Sequence, residues 1–540
     1  MNRYKKANEG IHAPEELKDS VAHRTAKPRQ QYSRWVSAAA AVLVVALVGG
    51  VALWPGRPDA SGPTAGSPEG QPAPLSDGGG PGQLRAAPDD GAAAYQSCAL
   101  ALADYPDMAP YPKDEDYFAE VGDGEDAWDK AYEAYNQAYG AWLEDRDALR
   151  SGIDYTGVMD EFITRSTAQF LSGAGEDNRV YSPLNVYMAL SMLAETTGGN
   201  SRQQLLDLLQ ADSVESLRER AAALWRDNYR DDGVVTSLLA NSLWLRDGMT
   251  YSQDTLDTLA EHYYASSFSG AMGSEEYNQA LRAWLNEQTR GLLAQQAEGV
   301  EMSPATVLAL ASTIYFKAAW DGEFAKELTE PDTFHAPSGD LDAEFMHKTL
   351  EGSFYWGENF TAVQLHFQRG GSMWLILPDE GASADGLLQS GEAMDFLFAP
   401  KYDRYDDQGH VTQEGWTGQK MLNINLSMPR FDVSSDLDLI GGLKELGVTD
   451  IFDMDVSNFD PLEASTDDPL YVSKAQHAAR VKVDEEGCEA AAYTVIMVDC
   501  GAAMPPDDEV DFVLDRPFLF AVTGESGLPL FTGVVNQPNG

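Results

Sequence analysis

A run of 20 uncharged residues near the N-terminus, from Trp35 to Trp54, constrains this 540-residue chain more than any other feature. As a helix, the run is long enough to cross the roughly 30 Å hydrocarbon core of a bilayer, and an aromatic residue stands at each end. Basic residues that precede such a helix tend to stay in the cytoplasm. Four lie just before this run: Arg24, Lys27, Arg29 and Arg34. We therefore expect a cytoplasmic basic segment at 1–34, a single transmembrane helix at 35–54 and an extracellular remainder at the cell membrane.

A secreted protein with a cleaved signal peptide is the alternative interpretation of the same run. A leader of 34 residues would be long for a signal peptide. The apolar run also exceeds the signal core, which usually has about 7–15 residues. These lengths favour the anchor.

The chain after the apolar run divides by composition into three parts. Residues 55–93 are rich in Pro, Gly, Ala, Ser and Asp, which predicts a flexible linker because such a segment cannot bury apolar surface. Residues 94–150 form an acidic extension in which aromatic residues recur at helical spacing. These aromatics are Trp128, Tyr132, Tyr135, Tyr139 and Trp142. The spacing predicts a short amphipathic helix packed on the main domain, with carbohydrate binding as the alternative. No second linker follows, so residues 151–540 are expected to form one large domain.

Charge and chemistry-bearing residues exclude several classes of function. The formal net charge of −49 makes nucleic acid an unsuitable partner, since phosphate binding needs a basic surface. The cysteines Cys98, Cys488 and Cys500 match neither a disulfide framework nor a zinc pattern. The sequence has no HExxH and no GxSxG motif. We therefore expect a protein that is not an enzyme and that has no metal and no cofactor.

Periodicity predicts an α+β domain after residue 150, because runs of helices precede runs of strands. Helices are predicted at 155–172, 183–197, 201–210, 214–227, 253–265, 276–290 and 435–447. Strands are predicted near 306–316, 361–367, 372–377, 421–433, 470–484, 491–498 and 517–534.

Several segments resemble the landmarks of the serpin family, in the family's order. They include NRVYSPLNVYMALSMLAETTGGNS from residue 178, LALASTIYFKAAWDGEF from 308, YVSKAQHAARVKVDEEGCEAAAYTVIM from 471 and FVLDRPFLFAVTGESGLPLFTGVVNQP from 512. The resemblance covers the chain from about residue 155 onward and suggests a bacterial-type, membrane-anchored member. It implies a serpin-like α+β fold with a large mixed sheet, surrounding helices and an exposed reactive loop at about 485–509.

The resemblance also implies a set of residues beneath the main sheet that control how the sheet opens. These shutter and breach residues are Ser182, Pro183, Ser312, Trp320 and His477. Three positions depart from the family pattern: Ser312 stands where the family usually has Asn, Ala318 where it has Gly, and Asn185 where it has Ser. The hydrogen bonds of the shutter are therefore expected to differ from those of the family.

In the mechanism that the resemblance implies, a protease cuts the loop, and the loop then inserts into the main sheet and traps the acyl-enzyme. Insertion needs small residues in the hinge, where Gly487 also offers a backbone free to turn. The implied hinge residues are Glu486, Gly487, Cys488, Glu489, Ala490, Ala491 and Ala492. The family's loop length places the reactive bond at Gly501–Ala502, flanked by Asp499, Cys500 and Ala503.

The function implied is a monomeric, suicide-substrate inhibitor of extracellular serine proteases, with cysteine proteases as a further target class. The small residues around Gly501 fit elastase-like or subtilisin-like enzymes. A non-inhibitory binding or structural protein with the same fold is the alternative. The hinge distinguishes the two, since bulky or charged hinge residues would oppose insertion.

Overall fold

A computed structural model gives the fold of most of the chain after the linker. It describes residues 39–48, 94–119, 121, 125–153, 155, 157–401, 404–405, 411–413, 416–462, 470–488 and 508–538. The predicted cytoplasmic segment 1–34, the predicted linker 55–93 and residues 489–507 of the predicted loop lie outside these residues.

The helices of the described residues surround two large sheets. They are α1 (Asp114–Phe118), α2 (Glu125–Leu149), α3 (Asp160–Leu171), α4 (Pro183–Thr196), α5 (Gly199–Leu208), α6 (Val214–Asn228), α7 (Gln253–Tyr263), α8 (Glu275–Gln288), α9 (Ala294–Glu298), α10 (Ala384–Ser390), α11 (Glu392–Phe398) and α12 (Ile440–Glu445).

The strands alternate with these helices along the chain. They are β1 (Ala39–Val48), β2 (Ala99–Ala101), β3 (Arg179–Tyr181), β4 (Arg230–Asp231), β5 (Val235–Arg246), β6 (Ala265–Gly270), β7 (Thr306–Ala319), β8 (Glu330–Ala336), β9 (Gly339–Trp356), β10 (Phe360–His366), β11 (Ser372–Pro378), β12 (Arg404–Tyr405), β13 (Val411–Gln413), β14 (Gln419–Pro429), β15 (Phe431–Asp438), β16 (Val472–Val483), β17 (Gly487–Cys488), β18 (Glu509–Val513), β19 (Phe518–Thr523) and β20 (Pro529–Val535).

The main sheet is built around the long strands β5, β7 and β16. From one edge its order is β15, β16, then β17 and β1 together, then β7, β5, β6 and β2. The long central pair β5 and β7 is antiparallel, whereas β6 runs parallel to β5. The second sheet has the order β18, β14, β9, β10, β11, β19, β20 and β3. The two sheets and their helices share one extensive apolar core.

Helix α4 lies at the centre of that core, and all its residues are buried. Ser182 caps it by accepting a hydrogen bond from the backbone N–H of Asn185, and Pro183 occupies the first turn. Pro is well suited to this position because the first turn needs no N–H donor. The Ser-Pro pair therefore fixes where the helix starts beneath the main sheet.

The extension packs on the main domain through α2 and the segment before it. Trp142 of α2 is buried, and its Nε1 donates a hydrogen bond to Asp232, with 2.8 Å between nitrogen and Oδ2. Arg230 bridges Asp232 and Glu525 at 2.6 and 2.8 Å, and Arg150 also binds Glu525. These charges are mostly buried, so each stabilises the fold only while its partners remain in place.

Residues 39–48 differ from the helix predicted for 35–54, of which residues 35–38 and 49–54 lie outside the described residues. Residues 39–48 form strand β1, which pairs antiparallel with both β16 and β7. An apolar run without charges can satisfy its backbone either within a helix in a bilayer or by pairing with neighbouring strands, and hydropathy does not distinguish the two. Within the part of the chain that the structure describes, no helix is both long and apolar enough to cross a membrane.

Three other predicted elements differ from the structure. The strand predicted near 517–534 is two strands, β19 and β20, which pair antiparallel in the second sheet. The helix predicted at 435–447 is the end of β15 followed by the short helix α12. The strand predicted near 421–433 is two strands, β14 and β15, that meet at Arg430 and belong to different sheets. The strand predicted at 491–498 lies outside the described residues.

Candidate functional site

The candidate site is the space between β7 and β16 in the main sheet, which we call the slot. Its upper end holds β17, in which Gly487 and Cys488 lie opposite Ala319 and Ala318 of β7. On the other side, Cys488 lies opposite Val483 of β16. Below β17, the slot is filled by β1. The chain that leaves β16 thus turns back and starts a strand beside it.

The turn between β16 and β17 is held by backbone hydrogen bonds from the segment after β7. The N–H of Trp320 donates to the carbonyl of Glu486, and the N–H of Phe324 donates to that of Glu485, both at 3.0 Å. The indole Nε1 of Trp320 donates to the carbonyl of Asp484 at 2.9 Å. Trp320 is itself buried and stacks on Phe367. This predicted breach residue therefore fixes the start of the loop.

Gly487 is required at its position by lack of space. A Cβ added there would stand 2.3 Å from the carbonyl oxygen of Ala318 and 2.8 Å from the Cα of Ala319. From the sequence, Gly487 is expected to offer a backbone free to turn, but its φ does not lie in the left-handed region. The close approach of two backbones is therefore the reason for glycine here.

Glu485 anchors the turn through a buried carboxylate. Nε of Arg430 donates to both of its oxygens at 2.9 Å, and Thr329 donates to Oε1 at 2.6 Å. Burial alone would raise the pKa of Glu485, but these hydrogen bonds outweigh it and the pKa lies below its ordinary value. Glu485 is therefore ionised at neutral pH and bound to Arg430.

The neighbouring acidic residues differ in their environment. Glu486 binds Lys326, and this hydrogen bond raises the pKa of Lys326. Asp484 is buried, and burial raises the pKa of its carboxyl. No pattern in the sequence predicts Arg430, Thr329 and Lys326 as residues of the site. A signal was present only in Glu485 and Glu486, two adjacent acids that need partners once they are buried.

The predicted shutter residues meet below the slot. The N–H of Ser182 donates to Nε2 of His477 at 3.0 Å, and Oγ of Ser182 donates to the carbonyl of Leu530 at 2.6 Å. The side-chain amide of Asn185 donates to the carbonyl of Ser312 at 3.2 Å. The shutter thus links α4, β16, β7 and β20 through a chain of buried polar contacts.

His477 is held neutral in this shutter. It is completely buried, and burial lowers its pKa to about 3. Because Nε2 accepts the hydrogen bond from Ser182, the proton of the neutral ring is assigned to Nδ1. Within the described part of the chain, Nδ1 of His477 has no hydrogen-bond partner. Protonation at Nε2 would place a charge in the core and break the contact with Ser182.

The structure brings together Ser182, Pro183, Ser312 and His477 in the shutter, and Trp320, Glu486, Gly487 and Cys488 at the hinge. The remaining predicted site residues lie outside the described residues. They are Glu489, Ala490, Ala491, Ala492, Asp499, Cys500, Gly501, Ala502 and Ala503.

Comparisons with known proteins agree on one family. The family model described as serpin (serine protease inhibitor) matches residues 159–538, which is more than half of the chain. Leukocyte elastase inhibitor of Sus scrofa is 29% identical over 374 residues, covering 67% of this chain and 93% of that protein.

Solved structures show the same fold at low identity. The thermophilic serpin tengpin in its native state superposes with a TM-score of 0.60 at 23% identity, covering 72% of this chain and 96% of tengpin. A thyroxine-binding globulin in complex with thyroxine gives a TM-score of 0.55 at 19% identity, covering 72% of this chain and 99% of that protein.

Proposed function

The chain belongs to the serpin family, and from this membership we propose that it inhibits extracellular proteases as a suicide substrate. In this mechanism a protease cuts the loop after β17, and the cut loop inserts into the slot between β7 and β16. Insertion moves the acyl-enzyme and distorts its active site. Loss of the protease's oxyanion hole would slow deacylation by roughly 10²–10³.

The observation that carries this proposal is the position of β17. Gly487 and Cys488 already pair with β7, so the first step of insertion needs no new turn. The next residues, Ala490 to Ala492, are small enough to follow them between the strands. Once β1 has left the slot, an inserted loop would form a strand between two long neighbours and pair with the backbone of both.

The proposed targets are proteases with a shallow, apolar primary pocket. The predicted reactive bond Gly501–Ala502 is surrounded by small residues, which suit elastase-like or subtilisin-like serine proteases. The similarity to a protein named leukocyte elastase inhibitor supports the same class. Cysteine proteases of similar specificity are a further target class.

A non-inhibitory serpin that binds a ligand or acts as a structural protein is the second candidate. The structural similarity to thyroxine-binding globulin favours it, because that protein binds a small molecule with the same fold. The small hinge residues oppose it, since only inhibition requires rapid insertion of the loop.

We further propose that the protein is a single-pass, monomeric inhibitor of a bacterial-type cell surface. The uncharged run 35–54 and the basic residues before it support an anchor with residues 1–34 in the cytoplasm. A secreted form is the alternative. In the anchored state, residues 39–48 would leave the main sheet.

The test is to mix the full chain, reconstituted in phospholipid nanodiscs, with pancreatic elastase and with subtilisin. We expect a covalent adduct that survives denaturing electrophoresis, and a released C-terminal peptide that begins near Ala502 by mass spectrometry. Cleavage without an adduct by both enzymes would contradict inhibition of this class. A chymotrypsin-like and a trypsin-like enzyme serve as specificity controls, and the trypsin-like enzyme should form the least adduct.

A further inference from the structure

Strand β1 occupies the part of the slot that the cut loop would need. Residue by residue, Ala39 lies opposite Phe316, Val44 opposite Ala311 and Leu47 opposite Leu308 of β7. On its other side β1 pairs with β16 from Ala40 to Leu47. A segment from the opposite end of the chain therefore fills the slot and pairs with both of the strands that border it.

The register of β17 predicts where an inserted loop would lie. Gly487 is opposite Ala319 and Cys488 is opposite Ala318. Continued one residue at a time along β7, this register places Ala490 opposite Phe316. That position is held by Ala39. A loop inserted in this register would therefore need the same places along β7 that β1 occupies.

The two segments also resemble each other in sequence when they are compared in this register. Residues 39–47 are AAAVLVVAL, and residues 490–498 are AAAYTVIMV. Both begin with three alanines and continue with mostly β-branched or apolar residues, which favour strands. Their orientation is also the same, because β1 and β17 are both antiparallel to β7.

Strand β1 also lies beside two residues of the shutter. Leu43 lies opposite Ser312 of β7 on one side and opposite His477 of β16 on the other. At the level of the shutter, β1 therefore lies between β7 and β16 in the place that an inserted loop would take.

We infer that the N-terminal segment 39–48 is an internal competitor of the reactive loop, which blocks insertion while it lies in the slot and permits it when it enters a membrane. The inference rests on the proposed function, since it concerns the step that follows cleavage. A cut loop would have to displace β1 before it could insert. Delay at that step favours deacylation, so the protease escapes and the inhibitor is consumed.

Insertion of residues 39–48 into a membrane would remove them from the slot. The ten residues of β1 are the centre of the run predicted to span a bilayer, and a membrane helix forms its backbone hydrogen bonds internally. A segment in the bilayer cannot pair with β7 and β16, so the two positions exclude each other. The inhibitor would then be fully active only where it is anchored.

The experiment uses the full chain with Cys98→Ser, Cys488→Ala and Cys500→Ser, synthesised in a cell-free system with and without phosphatidylcholine vesicles. Val44→Cys and Ala311→Cys introduce a cysteine pair at facing positions. Facing Cα atoms in an antiparallel pair are roughly 4.5–5.5 Å apart, which a disulfide can bridge. The control pair, Val44→Cys with Leu308→Cys, is three residues out of register and so about 10 Å further along the strand.

We expect a disulfide between the facing cysteines in the lipid-free protein, a much lower yield in vesicles, and little disulfide in the control pair in either case. Equal yields for facing and control pairs would overturn the placement of β1, whatever the inhibitory activity. Equal disulfide yields of the facing pair with and without vesicles would overturn the inference that a membrane removes β1 from the slot.

The second measurement mixes each oxidised or previously reduced protein with subtilisin. With vesicles added after oxidation or reduction, we expect the disulfide of the facing pair to abolish the covalent adduct and reduction to restore it, with no effect of reduction on the control pair. An adduct of equal yield in both states would show that β1 does not compete. A disulfide that forms in the facing pair, together with no adduct from the unsubstituted chain in vesicles, would instead show that the proposed inhibition itself is wrong.

Discussion

Gly487 lies so close to Ala318 that a single added carbon atom would stand 2.3 Å from the carbonyl oxygen of Ala318. We expect Gly487→Ala to lower the free energy of unfolding by about 1–3 kcal/mol, the usual range for overpacking. Urea unfolding followed by circular dichroism measures this change. Gly441→Ala is the matched control, because an added Cβ there meets no atom within 4 Å. Its expected effect is neutral or slightly stabilising, since Gly441 lies in α12. Equal effects at both positions would contradict the steric explanation.

The hinge should tolerate a large charged residue on one face of the inserted strand and not on the other. Continued from β17, Ala490 would lie opposite Phe316, which is buried, and Glu489 opposite Lys317, which is half-buried. We expect Ala490→Arg to convert the inhibitor into a substrate, because insertion would bury a guanidinium without a partner. Glu489→Arg should keep most of the adduct. The ratio of adduct to cleaved protein on denaturing gels measures the outcome. Equal loss in both variants would argue against insertion in this register.

Stability should fall in mildly acidic solution because of His477. Its pKa is about 3 in the folded protein and 6.5 ordinarily, so the unfolded chain binds the extra proton below pH 6.5. The free energy of unfolding should therefore decrease by about 2 kcal/mol between pH 7 and pH 5 from this group alone. Urea unfolding at several pH values measures the slope. In His477→Gln this part of the slope should disappear, and an unchanged slope would mean that His477 titrates normally.

The contact between α2 and the main domain should contribute measurably to stability. Trp142→Phe removes the donor to the buried carboxylate of Asp232, and loss of a hydrogen bond to a charged group costs about 1.5–3 kcal/mol. Trp128 on the same helix is 41% exposed, so Trp128→Phe is the matched control and should change little. Thermal unfolding followed by circular dichroism compares the two. Similar melting temperatures would show that the extension is not coupled to the fold of the domain.

Sequence was most informative where local chemistry and burial point in the same direction. The helix predicted at 183–197 is α4, Pro183–Thr196, because a capping serine, a first-turn proline and a mostly apolar run all favour it. The serpin family itself was also predictable from ordered motifs and is confirmed by the family model. By contrast β9 (Gly339–Trp356) was not predicted, because its apolar residues do not alternate regularly and charges interrupt them.

The missed features of the site depend on contacts between distant segments. The reason for glycine at 487 is the backbone of Ala318, which lies far away in sequence, and no local pattern carries that information. Arg430 becomes part of the hinge only because β14 ends beside Glu485. For residues 39–48, the sequence is compatible with a membrane helix and with a buried strand, so only the availability of a partner decides between them.

The short strand β2 affects how readily two copies of the protein can associate through their main sheets. Ala99–Ala101 pair with β6 at the outer edge of the main sheet. An uncovered sheet edge invites a strand from a neighbouring molecule and so promotes aggregation. Here the outermost strand of that edge is only three residues long, so it offers a neighbour a short row of backbone groups. A crowded layer of such molecules would therefore resist edge-to-edge association on this side.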